Sequence, residues 1–295
     1  MSKKHPVIAV TGSSGAGTTT VKRAFEHIFF REKINAAVIE GDSFHSLSRI
    51  DFKEAVKKAE AEGNQFFSHF GPQANHFDKL AELFNTYGAT GSGKKRFYIH
   101  SDEEADQHNK RLGTSLNPGE FTPWENVEPG SDVLFYEGLH GLVKTDDVDV
   151  SAHVDLGIGV VPIVNLEWIQ KIHRDGAERG YSAEVIVDTI LRRMPDYVNY
   201  ITPQFSRTDI NFQRVSTVDT SNPFISRDIP TPDESFIVIR FRDPTGVDFP
   251  YLLNMISNSF MSRRNTIVVP GAKMGFAMEL ILAPIIQEMI SSKGK

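Results

Sequence analysis

A glycine-rich turn between an apolar strand and a helix is the feature that most constrains the fold of this chain. Residues 6–11 (PVIAVT) form an apolar run, and residues 12–20 (GSSGAGTTT) follow it directly. A continuous apolar run is typical of a strand that is buried on both faces of a parallel sheet. Parallel strands need crossover connections, which are usually helices, so the sequence predicts an α/β protein.

The rest of the chain continues this alternation of short apolar runs and longer helical patterns. Further strands are predicted at residues 36–40, 97–100, 133–136, 154–161, 235–242 and 265–269. Helices are predicted at about residues 17–33, 51–62, 73–87, 165–178, 182–197 and 274–289. Residues 102–130 are polar and rich in Pro, Asn and Gly, so we expect an irregular excursion that carries little core.

The composition excludes several classes of protein. The 295 residues carry a formal net charge of −6 and include no cysteine. Disulfides, thiolate zinc sites and a cysteine nucleophile are therefore excluded, and bulk nucleic-acid binding is disfavoured by the acidic charge. No run approaches the roughly 18 apolar residues of a membrane span, and the N-terminus lacks the apolar segment of a secretory signal. We expect a cytoplasmic protein with no nucleic-acid or membrane partner.

The loop after the first strand has the spacing of a phosphate-binding loop, G-x-x-x-x-G-K-[ST], with one departure. Its glycines would let backbone N–H groups surround phosphate oxygens at a helix N-terminus. Gly12 and Gly17 match the pattern, but Thr18 stands in place of the lysine. Thr19 occupies the position whose hydroxyl would hold Mg²⁺. The residues predicted to bind nucleotide are Gly12, Ser13, Ser14, Gly15, Ala16, Gly17, Thr18, Thr19 and Thr20.

Two alternatives stay open for this loop. Without the lysine, it is equally compatible with an ordinary glycine-rich turn that binds nothing. A dinucleotide site is the other alternative, since Gly15-x-Gly17-x-x-Thr20 is a partial G-x-G-x-x-G and Glu40 lies where a ribose-binding acid is expected. The third glycine is absent, however, and a hydride-transfer site does not account for the acids and cations further along the chain.

Two carboxylates directly follow predicted strands. Asp42 comes after the second strand, and Glu137 comes after the strand at residues 133–136. Ligands of open α/β sheets bind beyond the carboxyl ends of the strands, so both acids would face the same crevice as the glycine loop. A kinase needs one group to accept a hydroxyl proton and another to hold the metal. Either acid alone could equally cap the next turn.

A cationic helix face provides a candidate for the missing loop cation. The helix from residue 165 carries Lys171, Arg174 and Arg179 together with Asp175. A solvated face with i,i+4 ion pairs explains this pattern equally well. The functional interpretation is a helical lid, at about residues 165–200, that brings a cation to the transferring phosphoryl group.

These patterns predict an α/β fold like that of the P-loop NTPases, with a mostly parallel sheet flanked by helices, a helical lid and a mixed C-terminal extension. No linker composition separates the parts of the chain. We therefore expect residues 1–295 to form a single kinase domain, with about residues 205–295 as an extension of it.

Six blocks in order resemble the phosphoribulokinase family, in its shorter bacterial form. They are GSSGAGTTT, IEGDSFH, FYEGLHG, NLEWIQKIHRD followed by RGY, LRRM, and PQFSRTDINFQR. The resemblance runs over essentially the whole chain. It implies ATP-dependent phosphorylation of the C1 hydroxyl of D-ribulose 5-phosphate to ribulose 1,5-bisphosphate in the Calvin cycle. Uridine kinase and pantothenate kinase are more distant relatives and remain alternatives.

The resemblance also implies roles for individual residues. Asp42 would be the catalytic base and Asp175 a second essential acid, while Thr19 and Glu137 would hold Mg²⁺. Residues that would contact sugar phosphate or the transferring phosphate are His45, Arg49, Tyr98, His100, Lys171, Arg174 and Arg179.

Regulation and assembly are implied by the resemblance alone. Bacterial members of the family carry threonine at the lysine position, and they are homo-oligomers that NADH activates and AMP inhibits. Plant-type members carry a regulatory thiol pair. Because this chain has no cysteine, we expect its activity to be indifferent to dithiothreitol.

Overall fold

A computed structural model describes residues 4–12, 18–225 and 228–292, apart from the side chains of residues 18, 19, 178 and 179. The strands in this part of the chain are β1 (Val7–Gly12), β2 (Ala36–Glu40), β3 (Lys94–Lys95), β4 (Glu125–Asn126), β5 (Val133–Gly138), β6 (Leu156–Val161), β7 (Ile210–Ser216), β8 (Ser235–Phe241), β9 (Phe260–Arg263) and β10 (Thr266–Pro270). The helices are α1 (Thr18–Glu32), α2 (Arg49–Ala61), α3 (Phe77–Thr90), α4 (Asp102–Leu112), α5 (Val164–Arg179), α6 (Ala183–Asp196), α7 (Phe249–Met255) and α8 (Met274–Ser291).

The central sheet has the strand order β2-β5-β1-β6-β7-β8-β10-β9. The first five strands in this order run parallel. The last three join antiparallel to their neighbours, so the C-terminal strands extend the same sheet. Every residue of β1 is buried, as its apolar run predicts. The predicted α/β fold with a mostly parallel sheet is therefore confirmed.

Helices cover both faces of this sheet. On one face α1 and α8 pack over β1, β5 and β6, with Phe25 against Phe135 at a ring-centroid distance of 4.4 Å. On the other face α3 packs over the opposite side chains of β1 and β5 and over Ile39 of β2, with Phe84 edge-on to Tyr136. Burial on both faces holds the carboxyl ends of the parallel strands at one rigid edge.

The prediction of an irregular excursion at residues 102–130 is wrong for residues 102–112, because α4 lies there. Ser101 caps the helix by accepting a hydrogen bond from the Glu104 backbone, and Gly113 ends it in the left-handed conformation. The first turn is acidic and the last turn is basic, which suits the helix dipole. Only Ala105 is buried, so the helix has no apolar stripe for a periodicity argument to detect.

Other boundaries also differ from the predictions. The strand predicted at residues 97–100 is reduced to an isolated bridge between Tyr98 and Phe121. The helix predicted from residue 73 begins at Phe77, after a short 3₁₀ turn at Pro72–Ala74. Five further elements, β3, β4, β7, α7 and β9, were not predicted.

The apolar C-terminal helix belongs to the core. The stretch Gly271–Ser291 has a mean hydropathy of 1.4 and is, among the described residues, long and apolar enough to cross a membrane by length and composition. Its inward side chains, including Met278 and Leu282, are fully buried against α1 and the sheet. We therefore interpret α8 as a core helix.

Candidate active site

The acid-bearing strands end side by side at one edge of the sheet. In the parallel register Glu40 of β2 lies opposite Glu137 of β5, and Val10 of β1 lies opposite the same Glu137. Asp42 follows β2 by two residues. The carboxyl ends of these strands meet where ligands of open α/β sheets bind. The predicted convergence of Asp42, Glu137 and the end of β1 is therefore present.

Two glycines allow the chain segments after these strands to approach each other closely. A Cβ atom added to Gly41 would lie 2.7 Å from the Gly138 Cα, and one added to Gly138 would lie 2.6 Å from the Gly41 Cα. No side chain fits at such distances. Gly12 is equally restricted, since its Cβ would lie 2.8 Å from the Val160 carbonyl oxygen. The glycines in IEGD and FYEG thus keep the two acids close.

Asp42 lies in a 3₁₀ turn, Gly41–Phe44, with its side chain 48% exposed. The His45 Nε2 atom is 3.3 Å from the Asp42 Oδ1 atom. Burial works to raise the pKa of Asp42, but the hydrogen bond from His45 and the charges of His45 and His100 outweigh it and lower the pKa to about 2. The carboxylate is therefore ionised at neutral pH and open on one side to an acceptor hydroxyl.

A partly buried arginine, Arg96, holds this turn in place. The Arg96 Nε atom donates to the Ser43 carbonyl at 2.8 Å, and its guanidinium also donates to the His45 carbonyl. The guanidinium lies over the rings of Phe121 and Trp124, at 3.8 Å and 4.6 Å from their centroids. Burial lowers the pKa of Arg96 to about 10. Arg96 thereby fixes the backbone at Ser43 and at His45, and with it the turn that carries Asp42.

Glu137 lies among other carboxylates at the end of β5. Burial, together with the negative charges of Asp42 and Glu40, raises the pKa of Glu137. Lys22 offsets part of this effect, and its Nζ atom lies 3.5 Å from the Glu40 Oε1 atom. A divalent cation would relieve the remaining repulsion. The described residues contain no cluster of three potential metal ligands.

Helix α5, which the sequence predicts to be part of a lid, places two cations against one buried carboxylate. Lys171 donates to the Asp175 Oδ2 atom, and the Arg174 Nε atom is 3.1 Å from the Asp175 Oδ1 atom. Asp175 is buried, and the Lys171 side chain is only 12% exposed. Burial and the neighbouring Arg193 lower the pKa of Lys171 to about 8. The solvated face, which was one of two alternatives for this helix, is thus partly internal, and Lys171 and Arg174 are both paired with Asp175.

Of the remaining residues predicted to bind the acceptor, His100 and Tyr98 lie near the same edge. The His100 Nε2 atom is 3.9 Å from the Glu40 Oε2 atom, and its ring lies edge-on to Tyr98 at 4.9 Å. Arg49 begins α2 with its side chain exposed, and its backbone N–H donates to the Gly119 carbonyl. Lys171 also acts electrostatically on His69, whose ring lies 5.2 Å from that of His45.

Several predicted site residues lie outside the described set. These are Ser13, Ser14, Gly15, Ala16 and Gly17, with the side chains of Thr18, Thr19 and Arg179. Thr20 is described, and its methyl group faces Gly275 of α8, where an added Cβ would lie 3.8 Å away.

Sequence reasoning missed four side chains that shape the site. They are His69, Asn75, Arg96 and His140. Each is a single polar residue in a loop or at an element end, so no periodicity marks it. The one available signal was that His69 and Asn75 lie in a stretch of aromatic and polar residues before α3.

Comparison with known proteins decides the family. The family model described as "Phosphoribulokinase / Uridine kinase family" matches residues 7–221. The chain belongs to the phosphoribulokinase/uridine kinase family. Among relatives, it is 62% identical to the phosphoribulokinase of Xanthobacter flavus and 58% identical to that of Nitrobacter vulgaris, over 99% of each chain. The solved phosphoribulokinase of Rhodobacter spheroides is 52% identical, covers all of both chains and superposes with a TM-score of 0.90.

Membership of the phosphoribulokinase/uridine kinase family decides against one of the alternatives left open for the glycine loop. A kinase of this family uses ATP and Mg²⁺, so the dinucleotide oxidoreductase is set aside. The assignment of the nucleotide site to the loop after β1 stays a prediction. The carboxylates at the ends of β2 and β5 then have the chemistry that phosphoryl transfer requires.

Proposed function

We propose that this chain transfers the γ-phosphoryl group of ATP to the C1 hydroxyl of D-ribulose 5-phosphate, giving ribulose 1,5-bisphosphate for the Calvin cycle. The observation that carries this proposal is the match over 99% of the chain, at 62% identity, to a protein named phosphoribulokinase. A match of that extent includes the acceptor side of the site as well as its nucleotide side.

Asp42 is the proposed catalytic base. Its carboxylate lies at the end of β2, is half-exposed, and is fixed by the turn that Arg96 holds. It orients the C1 hydroxyl and accepts the proton as the oxygen–phosphorus bond forms. A carboxylate of low pKa suffices because the transition state is loose and proton transfer occurs late.

Glu137 and Thr19 are the proposed magnesium ligands. Held there, Mg²⁺ would supply positive charge that offsets the charge of the ATP phosphates. The crowding of Glu137 by Asp42 and Glu40 supports this role, because a carboxylate among carboxylates favours a cation. The residues from Gly12 to Thr20 are proposed to surround the phosphates.

The α5 cations are proposed to replace the loop lysine. Asp175 is the second essential acid, and its buried carboxylate holds Lys171 and Arg174 together. These two ion pairs keep the cations oriented before the phosphoryl group is transferred. The side chains then need little rearrangement to stabilise the charge of the transition state. Arg179 is proposed to contact the same phosphate.

Acceptor recognition is assigned to the residues around Asp42. The residues proposed to bind the sugar phosphate are His45, Arg49, Tyr98 and His100. The guanidinium of Arg49 is suited to the 5-phosphate, because it can form two parallel hydrogen bonds with it. The exposed side chain of Arg49 on α2 supports this assignment.

Three further properties are proposed from the resemblance. The chain forms a homo-oligomer, its kinase activity responds to NADH, and it acts in the cytoplasm without a nucleic-acid or membrane partner. Residues 1–295 are proposed to act as one kinase domain, supported by the C-terminal strands that join the central sheet.

A coupled ADP-release assay with Mg-ATP tests the substrate. The panel contains ribulose 5-phosphate, ribose 5-phosphate, uridine and pantothenate, at matched concentrations. We expect kcat/KM for ribulose 5-phosphate to exceed the others by at least about 100-fold, since a polar pocket strongly rejects ligands that leave its groups unpaired. Preference for uridine or pantothenate would replace the proposal with the alternative kinase of the same family.

A further inference from the structure

Gln204 is a buried polar residue outside the set of proposed site residues. It lies in the block PQFSRTDINFQR, which contains none of the residues assigned to binding or catalysis. Its relative exposure is 0%, so water does not reach its amide. A buried amide is costly unless its donors and its acceptor are paired. The partners of this amide therefore show what the residue holds in place.

Both ends of the Gln204 amide are fully paired. The Nε2 atom donates to the Leu139 carbonyl at 2.8 Å and to the Tyr200 carbonyl at 2.7 Å. The Oε1 atom accepts from the Leu142 N–H at 2.9 Å and lies 3.0 Å from the Thr11 hydroxyl. Exchange of the amide oxygen and nitrogen would place an oxygen against two carbonyls, so these partners fix the orientation of the amide.

Two of these partners flank the proposed nucleotide side of the site. Thr11 directly precedes the glycine loop, and Leu139 follows Glu137 by two residues. Pairing between β1 and β5 ends at Thr11 and Gly138, so the strand ladder does not hold these two chain segments together beyond that point. The amide does so instead, because it contacts both segments just past the end of the ladder.

The third partner belongs to the segment that follows the proposed lid. Tyr200 lies in the π-helical turn Tyr197–Ile201, which continues the chain directly from α6. Turns of this kind are rare and are frequent at functional sites. Through the Tyr200 carbonyl, the Gln204 amide joins the end of the lid segment to the ends of β1 and β5.

We propose that Gln204 is a positioning residue for Mg-ATP, which holds the chain before the glycine loop and the chain after Glu137 in a fixed relation. The groups that would meet the phosphates and the metal are then in place before the nucleotide binds, which reduces the rearrangement that binding requires. The four partners of the amide include none of the residues proposed to bind the sugar phosphate. This inference rests on the proposed roles of the glycine loop and Glu137.

A positioning role and a purely structural role differ in what they change. If the network only stabilises the fold, weakening it lowers the free energy of unfolding and leaves Mg-ATP binding unchanged. If it positions the nucleotide side, weakening it raises the Kd for Mg-ATP. The KM for ribulose 5-phosphate, measured at saturating Mg-ATP, should then change little, because the acceptor residues are held by other contacts.

Four variants separate these roles. Thr11→Val removes the hydroxyl and keeps the shape of the side chain, Thr11→Ser keeps the hydroxyl, and Gln204→Met removes the amide. Thr266→Val is the matched control. Thr266 is also a buried strand threonine, but its hydroxyl donates to the Asn265 side chain in the C-terminal part of the sheet.

Isothermal titration calorimetry with Mg-ATP measures the predicted effect without any turnover. We expect the Kd to rise by about 10-fold or more in Gln204→Met and by at least about 3-fold in Thr11→Val, as for the loss of outer supports of a ligand site. The Kd should stay within about 2-fold of wild type in Thr11→Ser and in Thr266→Val, although urea unfolding should show that Thr266→Val is less stable.

A wild-type Kd in Thr11→Val would overturn the proposal, and so would an equal rise of the Kd in Thr266→Val. Thr11→Val decides the outcome if Gln204→Met does not fold, because it removes a single hydroxyl. Failure of the proposed function would show differently, as a wild-type protein that binds Mg-ATP but does not phosphorylate ribulose 5-phosphate.

Discussion

At the level of single residues, the site depends on a carboxylate of unusually low proton affinity. The pKa of Asp42 is lowered to about 2, chiefly because His45 donates to it against the effect of burial. The strand-end positions of Asp42 and Glu137 could be predicted from the sequence, because apolar runs mark where strands end. The partners Asn75 and Arg96 could not, because their roles depend on contacts between loops that are distant in sequence.

Substitution of Asp42 tests its assignment as the base. In Asp42→Asn we expect kcat to fall by roughly 100-fold or more, because the hydroxyl loses its proton acceptor. The Kd for Mg-ATP should change less than about 3-fold, which isothermal titration calorimetry measures. Glu103→Gln, which removes an exposed acid on α4, is the matched control. An Asp42→Asn enzyme within a few-fold of wild type would remove Asp42 from this role.

Arg96, which is distant in sequence, hydrogen-bonds directly to the same turn. In Arg96→Met we expect kcat to fall by about 10-fold, because two carbonyls lose their donor and the turn that carries Asp42 relaxes. The hydrophobic stem is kept, so the two aromatic rings still have a packing partner. Arg111→Met, on the exposed side of α4, provides the control. Unchanged kinetics in Arg96→Met would show that the turn holds its geometry without the guanidinium.

At the level of elements, some helices could be predicted from apolar periodicity in the sequence and others could not. Apolar periodicity predicted α3 and the C-terminal helix, because each buries a stripe of side chains. It missed α4, which is held by its caps and charged ends and buries only Ala105. The bounds predicted for α5 and α6 are close to those observed. The burial of Asp175 was not predicted, because an i,i+4 ion pair has the same sequence pattern on a buried face as on a solvated one.

The proposed role of α5 can be tested by the kinetics of a Lys171 variant. In Lys171→Met we expect kcat to fall by at least about 100-fold while the Kd for Mg-ATP changes little, because the contact forms mainly in the transition state. Single-turnover kinetics and ATP titration give the two quantities separately. Lys110→Met on α4 is a control for loss of a positive charge. A Lys171→Met enzyme that loses ATP affinity but keeps kcat would place the contact in the ground state.

At the level of the whole molecule, buried histidines near the site make the free energy of unfolding depend on pH. Burial lowers the pKa of His140 to about 3, although its hydrogen bond to the Phe70 carbonyl opposes this effect. The unfolded chain binds a proton near pH 6.5, whereas the folded chain remains neutral at this position. The stability contributed by neutral His140 is therefore present above pH 6.5 and is lost as the pH falls towards 3.

Acid titration of stability tests this linkage. Between pH 7.5 and pH 5, His140 alone should lower the free energy of unfolding by about 2 kcal/mol, with a further loss from His69. Urea midpoints at constant protein concentration measure the change, and His140→Gln should show a smaller fall. An identical pH dependence in His140→Gln and wild type would mean that His140 does not titrate on unfolding.

Identification of the product tests the central claim most directly. Incubation of the protein with Mg-ATP and ribulose 5-phosphate, followed by ³¹P NMR, reports where the phosphoryl group goes. We predict two phosphomonoester signals from a bisphosphate esterified at C1 and C5, formed in equal amount to ADP, and almost none in Asp42→Asn. ADP formation without a second ester on the sugar, or a phosphorylated nucleoside as the preferred product, would contradict this account.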